Sequence, residues 1–171
     1  MSSTNVFPKP VASAVERIAQ YYRSMTGDSF RYRAEAQVDT VEDGDTWFGR
    51  HKPDPTIVVA TDANHRDDDK GQDGQYYRLS RVDTHETDAS NTKKQQMATE
   101  EKQAVQAFID QGRQNYSGEW PFVIEYESVD VEGTYGRRLV DLVRKSDGKE
   151  LNDWLLNEKF PDRNIEYNPS T

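Results

Sequence analysis

Tyr77 to Thr87 reads YRLSRVDTHET, and the way this run changes character governs the fold. A strand-like segment with Arg78 near its start gives way to a polar turn carrying Asp83, Thr84 and Glu86. Three oxygen-bearing side chains thus crowd one strand end. Strict alternation would put Arg78 and Asp83 on opposite faces of a flat strand. A shared site therefore requires a strand that bends or finishes by Asp83. The residue types point to a hard-cation site: magnesium and calcium take carboxylate, carbonyl and water oxygens. A carboxylate left beside such an ion can orient or deprotonate a bound water. Arg78 adds a planar fork of donors that matches a phosphate oxyanion.

Two further stretches extend the pattern. Val41 to Trp47 reads VEDGDTW, a strand ending in a glycine turn flanked by Asp43 and Asp45, and Thr134 to Leu139 reads TYGRRL, with Arg137 just after a Tyr135-Gly136 turn. In this order the three resemble the staphylococcal nuclease family of calcium-dependent phosphodiesterases. That family shows D-G-D-T at one strand end, then R-x-x-x-V-D-T-P-E-T, a helix, another strand and Y-G-R. The matching residues are Asp43, Gly44, Asp45 and Thr46; Arg78, Val82, Asp83, Thr84, Glu86 and Thr87; and Tyr135, Gly136 and Arg137. The resemblance spans Arg31 to Phe160 and implies an α+β fold, a small five-stranded barrel of the oligonucleotide-binding (OB) type with packed helices.

The same resemblance implies the chemistry. Asp45, Asp83 and the main-chain carbonyl of Thr84 are expected to hold one Ca2+, with Asp43 as a supporting carboxylate close by. Glu86 is expected to position or deprotonate the attacking water. Arg78 and Arg137 are expected to bind the phosphate from two sides, with Tyr135 hydrogen-bonding it. The substrate is DNA, RNA or both, and departure of the 5′ oxygen leaves 3′-phosphate ends. Arg81 and Arg138 are read as surface residues.

Composition sets bounds on this expectation. The 171 residues suit one domain with a real core, and the chain carries 33% hydrophobic and 31% charged residues. Mean hydropathy is −1.02 and the isoelectric point is near 4.8. The net charge of −9 opposes binding to a polyanion, because the usual basic footprint is missing. Aspartate exceeds glutamate and arginine exceeds lysine, a bias that fits a halophilic source. In molar salt the Debye length falls to about 3 Å, so binding would rest on contact chemistry rather than counterion release. The absence of cysteine excludes disulfides and thiolate metal sites. No apolar run approaches membrane-spanning length, and the N-terminus MSSTNVFPKP lacks the basic-then-apolar pattern of a signal peptide. A monomer in the cytoplasm, without membrane contact, is the expectation.

The organisation reads as an N-terminal extension over residues 1–29, a barrel domain over 30–160 and a short tail over 161–171. Val11 to Met25 has helical spacing and stops at Gly27; this helix is expected to cover an open barrel edge. Phe30 to Val41 forms the first strand, with Ala34, Ala36, Val38 and Thr40 on one face. Trp47 and Phe48 continue into the next strand as core residues rather than base-stacking ones. Ile57 to Ala60 is strand-like, and residues 61–75 form an acidic loop insertion. Asp88 to Met97 is expected to be irregular, with Thr99 capping a helix whose first turn carries Glu100 and Glu101. Ala104, Val105, Phe108 and Ile109 make its buried stripe. Strands over Pro121–Val131 and Leu139–Arg144 follow, and a last helix carries Leu151, Trp154, Leu155 and Phe160.

The pattern departs from the family in two places. His85 replaces the usual proline, which leaves the turn presenting Glu86 less rigid, and the tail lacks a final helix with its base-stacking aromatic, for which Tyr167 is a weak substitute. A non-catalytic module binding nucleic acid or protein on the same barrel is the competing reading. An acidic mimic of nucleic acid fits the charge but leaves the full set of site residues unexplained.

Overall fold

The computed structural model describes residues 32–53, 74–126, 132–133 and 137–167. The N-terminal helix, the strand-like Ile57–Ala60, the acidic insertion up to residue 73 and Tyr135 lie outside the described residues. Strand β1 (Tyr32–Val41) pairs antiparallel with β2 (Thr46–Pro53), which pairs with β3 (Gln75–Leu79). On its other edge β1 meets β4 (Phe122–Tyr126), and β4 meets β6 (Arg137–Arg144). A parallel pairing of β3 with β6 closes the ring into a five-stranded barrel, while the two-residue β5 (Glu132–Gly133) adds only to β6. Closure removes exposed edges and coils the strands. The result is an α+β architecture, a closed barrel with two helices, as the resemblance implies at that level.

Alternation fills the barrel. Ala34, Ala36 and Val38 of β1 are buried, as expected, and with Trp47, Tyr77, Leu79, Ile124, Val140 and Leu142 they belong to one apolar core. Trp47 stacks on Tyr77 with ring centroids 4.1 Å apart. Between Val38 and Thr40 the register shifts; this bulge turns Thr40 out and Val41 in. Phe48 differs from the expectation. It follows the buried Trp47, so it faces outward, where it meets the exposed Tyr76 instead of the core.

Helix α1 runs from Thr92 to Gln114, eight residues earlier than a cap at Thr99 implies. Asn91 is the cap: its side chain accepts the N–H groups of Lys93 and Lys94 at 2.9 and 3.3 Å. Thr99 lies inside the helix and donates to the Gln95 carbonyl four residues back, at 3.0 Å. The polar stretch after Asn91 is the solvated outer side of an amphipathic helix rather than a loop. Ala98, Glu101, Ala104, Val105, Phe108 and Ile109 make the buried side.

Helix α2 starts at Leu151–Asp153 and widens into a π-helical turn over Trp154–Lys159. Leu151 and Leu155 are buried, with Trp154 beside Phe108 at 5.2 Å. A buried polar knot ties β3 to this helix. Asp141 accepts from Ser80 Oγ at 2.7 Å and from the Asn152 amide. The tail then returns beneath β3: the Asp83 N–H donates to the Ile165 carbonyl at 2.8 Å, and Tyr167 N–H to the Arg81 carbonyl at 2.9 Å. Among the described residues no helix is long and apolar enough to cross a membrane.

Candidate active site

The turn between β1 and β2 is built by its own side chain. Asp43 Oδ1 accepts the N–H groups of Asp45 and Thr46 at 3.2 and 2.8 Å, as short acidic side chains do in turns. Gly44 is required here by close approach. A Cβ at this position would come within 2.6 Å of Thr84 Cγ2 and 3.0 Å of Glu101 Cβ, so the turn seats directly on the chain that follows β3. That contact brings Asp45 to Thr84, whose N–H donates to Asp45 Oδ2 at 2.9 Å.

Asp45 is 3% exposed, and its Oδ1 accepts the Thr46 hydroxyl at 2.9 Å. Arg78 lies directly across from Thr46 in the β2–β3 register. Its Nη2 sits 3.4 Å from Asp45 Oδ2 and 2.5 Å from Asp83 Oδ1. The bent strand that a shared site demands is present. β3 ends at Leu79, the chain bends through Ser80 and Arg81, and Val82 pairs with Glu166, so Asp83 comes back to the Arg78 guanidinium. From β6, Arg137 Nη1 donates to Thr46 Oγ1 at 2.8 Å. Thr46 is thus a relay, taking a hydrogen bond from Arg137 and giving one to Asp45.

Burial pushes the Asp45 carboxyl up to about 6, and the negative charge of Asp43 adds to the rise. Arg78, the Thr84 N–H and the Thr46 hydroxyl pull the other way without cancelling it. A carboxylate held above its ordinary range by burial and a like charge is a place that favours additional positive charge. No protein-family model matches this chain, and no curated protein matches it either. The chemistry of the site has to be read from its own groups.

Those groups fit a hard divalent cation in one respect. Asp45 Oδ2 and Asp83 Oδ1 flank a single guanidinium nitrogen, so the two carboxylates already share one positive group. Among the described residues no three His, Asp or Glu side chains converge in metal-binding geometry. An ion would draw its remaining oxygens from main chain and water, the usual complement for calcium. Of the sequence-derived site residues, the structure brings Asp43, Asp45, Arg78, Asp83, Thr84 and Arg137 together. Glu86 is exposed on the next turn, where its carbonyl accepts the Ala89 N–H at 3.2 Å. Its carboxylate makes no ion pair among the described residues.

Two residues escaped the sequence reading. Thr46 lies in D-G-D-T, a motif that assigns it no role in the chemistry. Glu101, expected in the first turn of a helix, is wholly buried in mid-helix. Its Oε2 accepts the His85 N–H at 2.9 Å, and its Oε1 lies 2.9 Å from His85 Nδ1 and 3.1 Å from Arg163 Nη1. The turn presenting Glu86 is accordingly held by a buried carboxylate. The available signal was periodicity, since position 101 falls on the apolar side of the helix with Ala98, Ala104, Val105 and Phe108.

Proposed function

We propose that this chain hydrolyses phosphodiester bonds of DNA or RNA with the help of calcium. The observation that carries the reading is the meeting of two carboxylates and two arginines: Asp45 of the β1–β2 turn and Asp83 after β3 flank Arg78 of β3, and the Thr46 hydroxyl joins Asp45 to Arg137 of β6. Phosphodiester hydrolysis must bind a phosphate that gains negative charge, supply a nucleophile and hold the geometry in line. Asp45, Asp83 and the Thr84 carbonyl would hold the ion, which supplies charge neutralisation at a phosphate oxygen. Arg137, reaching from β6, and Arg78, released from Asp83 once that carboxylate takes a cation, would grip the phosphate from two sides. Their donors strengthen as charge builds on the oxygens. Glu86, free of ion pairs among the described residues, is the group available to orient or deprotonate water.

A non-catalytic binding module is the alternative, and one observation favours it: Arg78 is committed to Asp45 and Asp83 rather than open to a ligand. The two readings separate on cation dependence. Cleavage of a single-stranded oligonucleotide in molar KCl, run with calcium, magnesium or chelator, is expected to require calcium in the wild type and to fall away in Asp83→Asn. Unchanged binding of the oligonucleotide with no cleavage under any cation would establish the module instead.

A further inference from the structure

We propose that Phe48 and Tyr76 form a stacking subsite for an unpaired nucleobase, adjacent to the phosphate grip of Arg78 and Arg137; this rests on the nuclease reading for the identity of the ligand. Both rings lie on the outer face of the barrel. Phe48 and Tyr76 are direct cross-strand partners, as are Thr46 and Arg78 two residues along. Side chains two apart on a strand share a face and are separated by about 7 Å. The aromatic pair and the arginine therefore make one outward row, with Arg137 joined to it through Thr46.

Exposure and geometry single out this pair. Tyr76 is 49% exposed, one of two large hydrophobic side chains among the described residues left so open. A lone exposed tyrosine is ordinary, but this one is braced. Phe48 meets it edge-on, with centroids 5.1 Å apart and planes at 68°, an arrangement that fixes aromatic rings. Phe48 is braced in turn by Gly74, whose backbone φ is +94° and where a Cβ would approach Phe48 Cζ to 2.7 Å. A rigid ring presented to solvent costs little entropy to bind against. The ligand chemistry follows from the neighbours: arginine beside an open aromatic face suits a phosphate joined to a planar base.

Net charge adds an independent argument. A chain of −9 lacks a broad basic footprint and gains little from counterion release in molar salt, so contacts that do not depend on charge have to add to the grip of the two arginines. Base–aromatic stacking is such a contact, and it needs a base whose face is free of its duplex neighbours. The subsite therefore selects single-stranded over duplex substrate.

The test measures binding apart from cleavage. Fluorescence anisotropy of the full chain in molar KCl would compare a labelled single strand, its duplex and an abasic strand of equal length. It would be run with chelator and again with calcium in the Glu86→Gln background. Wild type is expected to favour the base-bearing single strand. Tyr76→Ala is expected to lower that affinity by roughly 5- to 100-fold with little change for the abasic strand, and Tyr76→Trp to keep it. Equal binding of abasic and base-bearing strands, or a Tyr76→Ala protein that binds like wild type, would overturn the subsite. Neither result touches the nuclease reading, which stands or falls on cleavage. Base-dependent binding by a chain that never cleaves would leave the subsite and remove the nuclease.

Discussion

Asp45 carries the sharpest consequence at the level of single residues. Its folded-state pKa of about 6 lies above the ordinary 3.8, so the folded chain binds this proton more tightly than the unfolded one. The stabilising contribution is complete below the ordinary value and is lost as pH rises through about 6. Above that, the ionised group is a net cost of roughly 2–3 kcal/mol in the cation-free protein. Asp45→Asn is therefore expected to melt higher than wild type at about pH 7.5 and alike at about pH 3.5, as read by calorimetry. Calcium should reverse the order by stabilising wild type alone. Arg137→Ala, which removes the partner of Thr46 and the phosphate donor of the proposed reaction, is expected to lower kcat by roughly 100- to 1,000-fold while far-UV circular dichroism stays unchanged. A loss confined to KM would mean that Arg137 only binds substrate.

Elements, rather than residues, position the turn that carries Glu86. Helix α1 lends Glu101 to His85, and the tail lends Arg163 to Glu101 and the Ile165 carbonyl to Asp83. Removing the buried carboxylate leaves the inward-facing His85 N–H without its acceptor and takes one acceptor from Arg163, which keeps Glu100 and the Met97 carbonyl. Glu101→Ala is accordingly expected to cost about 1–3 kcal/mol of stability by chemical denaturation, and Glu101→Gln, which keeps one acceptor, less than that. A change within about 0.5 kcal/mol, the range of an ordinary surface substitution, would remove Glu101 from this role. Arg78, Asp83 and the need for a finished strand between them were legible in the sequence because two-residue periodicity and turn composition are local properties. The barrel interior was legible for the same reason, from the alternation of Ala34, Ala36 and Val38. The helix start was not, because Asn91 and Thr99 are both good caps and only packing chooses between them. Glu101 and Phe48 were missed because their partners, His85 and Tyr76, are distant in the chain and appear only when strand register and helix placement are known.

For the molecule as a whole, the acidic balance is the feature that has to be reconciled with the polyanionic substrate proposed above. Charge repulsion at −9 is relieved in concentrated salt, where the Debye length is about 3 Å. Circular dichroism across a KCl series is expected to show structure gained towards molar salt and lost in dilute buffer. Full structure in dilute buffer would reject a halophilic origin. Over the part of the series in which the chain is folded, affinity for single-stranded DNA is expected to change little, in contrast to the steep fall seen with basic binding proteins. All of this presumes that the converging carboxylates and arginines perform hydrolysis, and one measurement addresses that directly. Purified wild type and Glu86→Gln would be incubated with an end-labelled single-stranded DNA in molar KCl and calcium, and the product termini identified. The account predicts cleavage by wild type that leaves 3′-phosphate ends and is lost in Glu86→Gln. A wild-type chain that leaves the DNA intact in high and low salt would contradict it, as would cleavage that Glu86→Gln performs equally well.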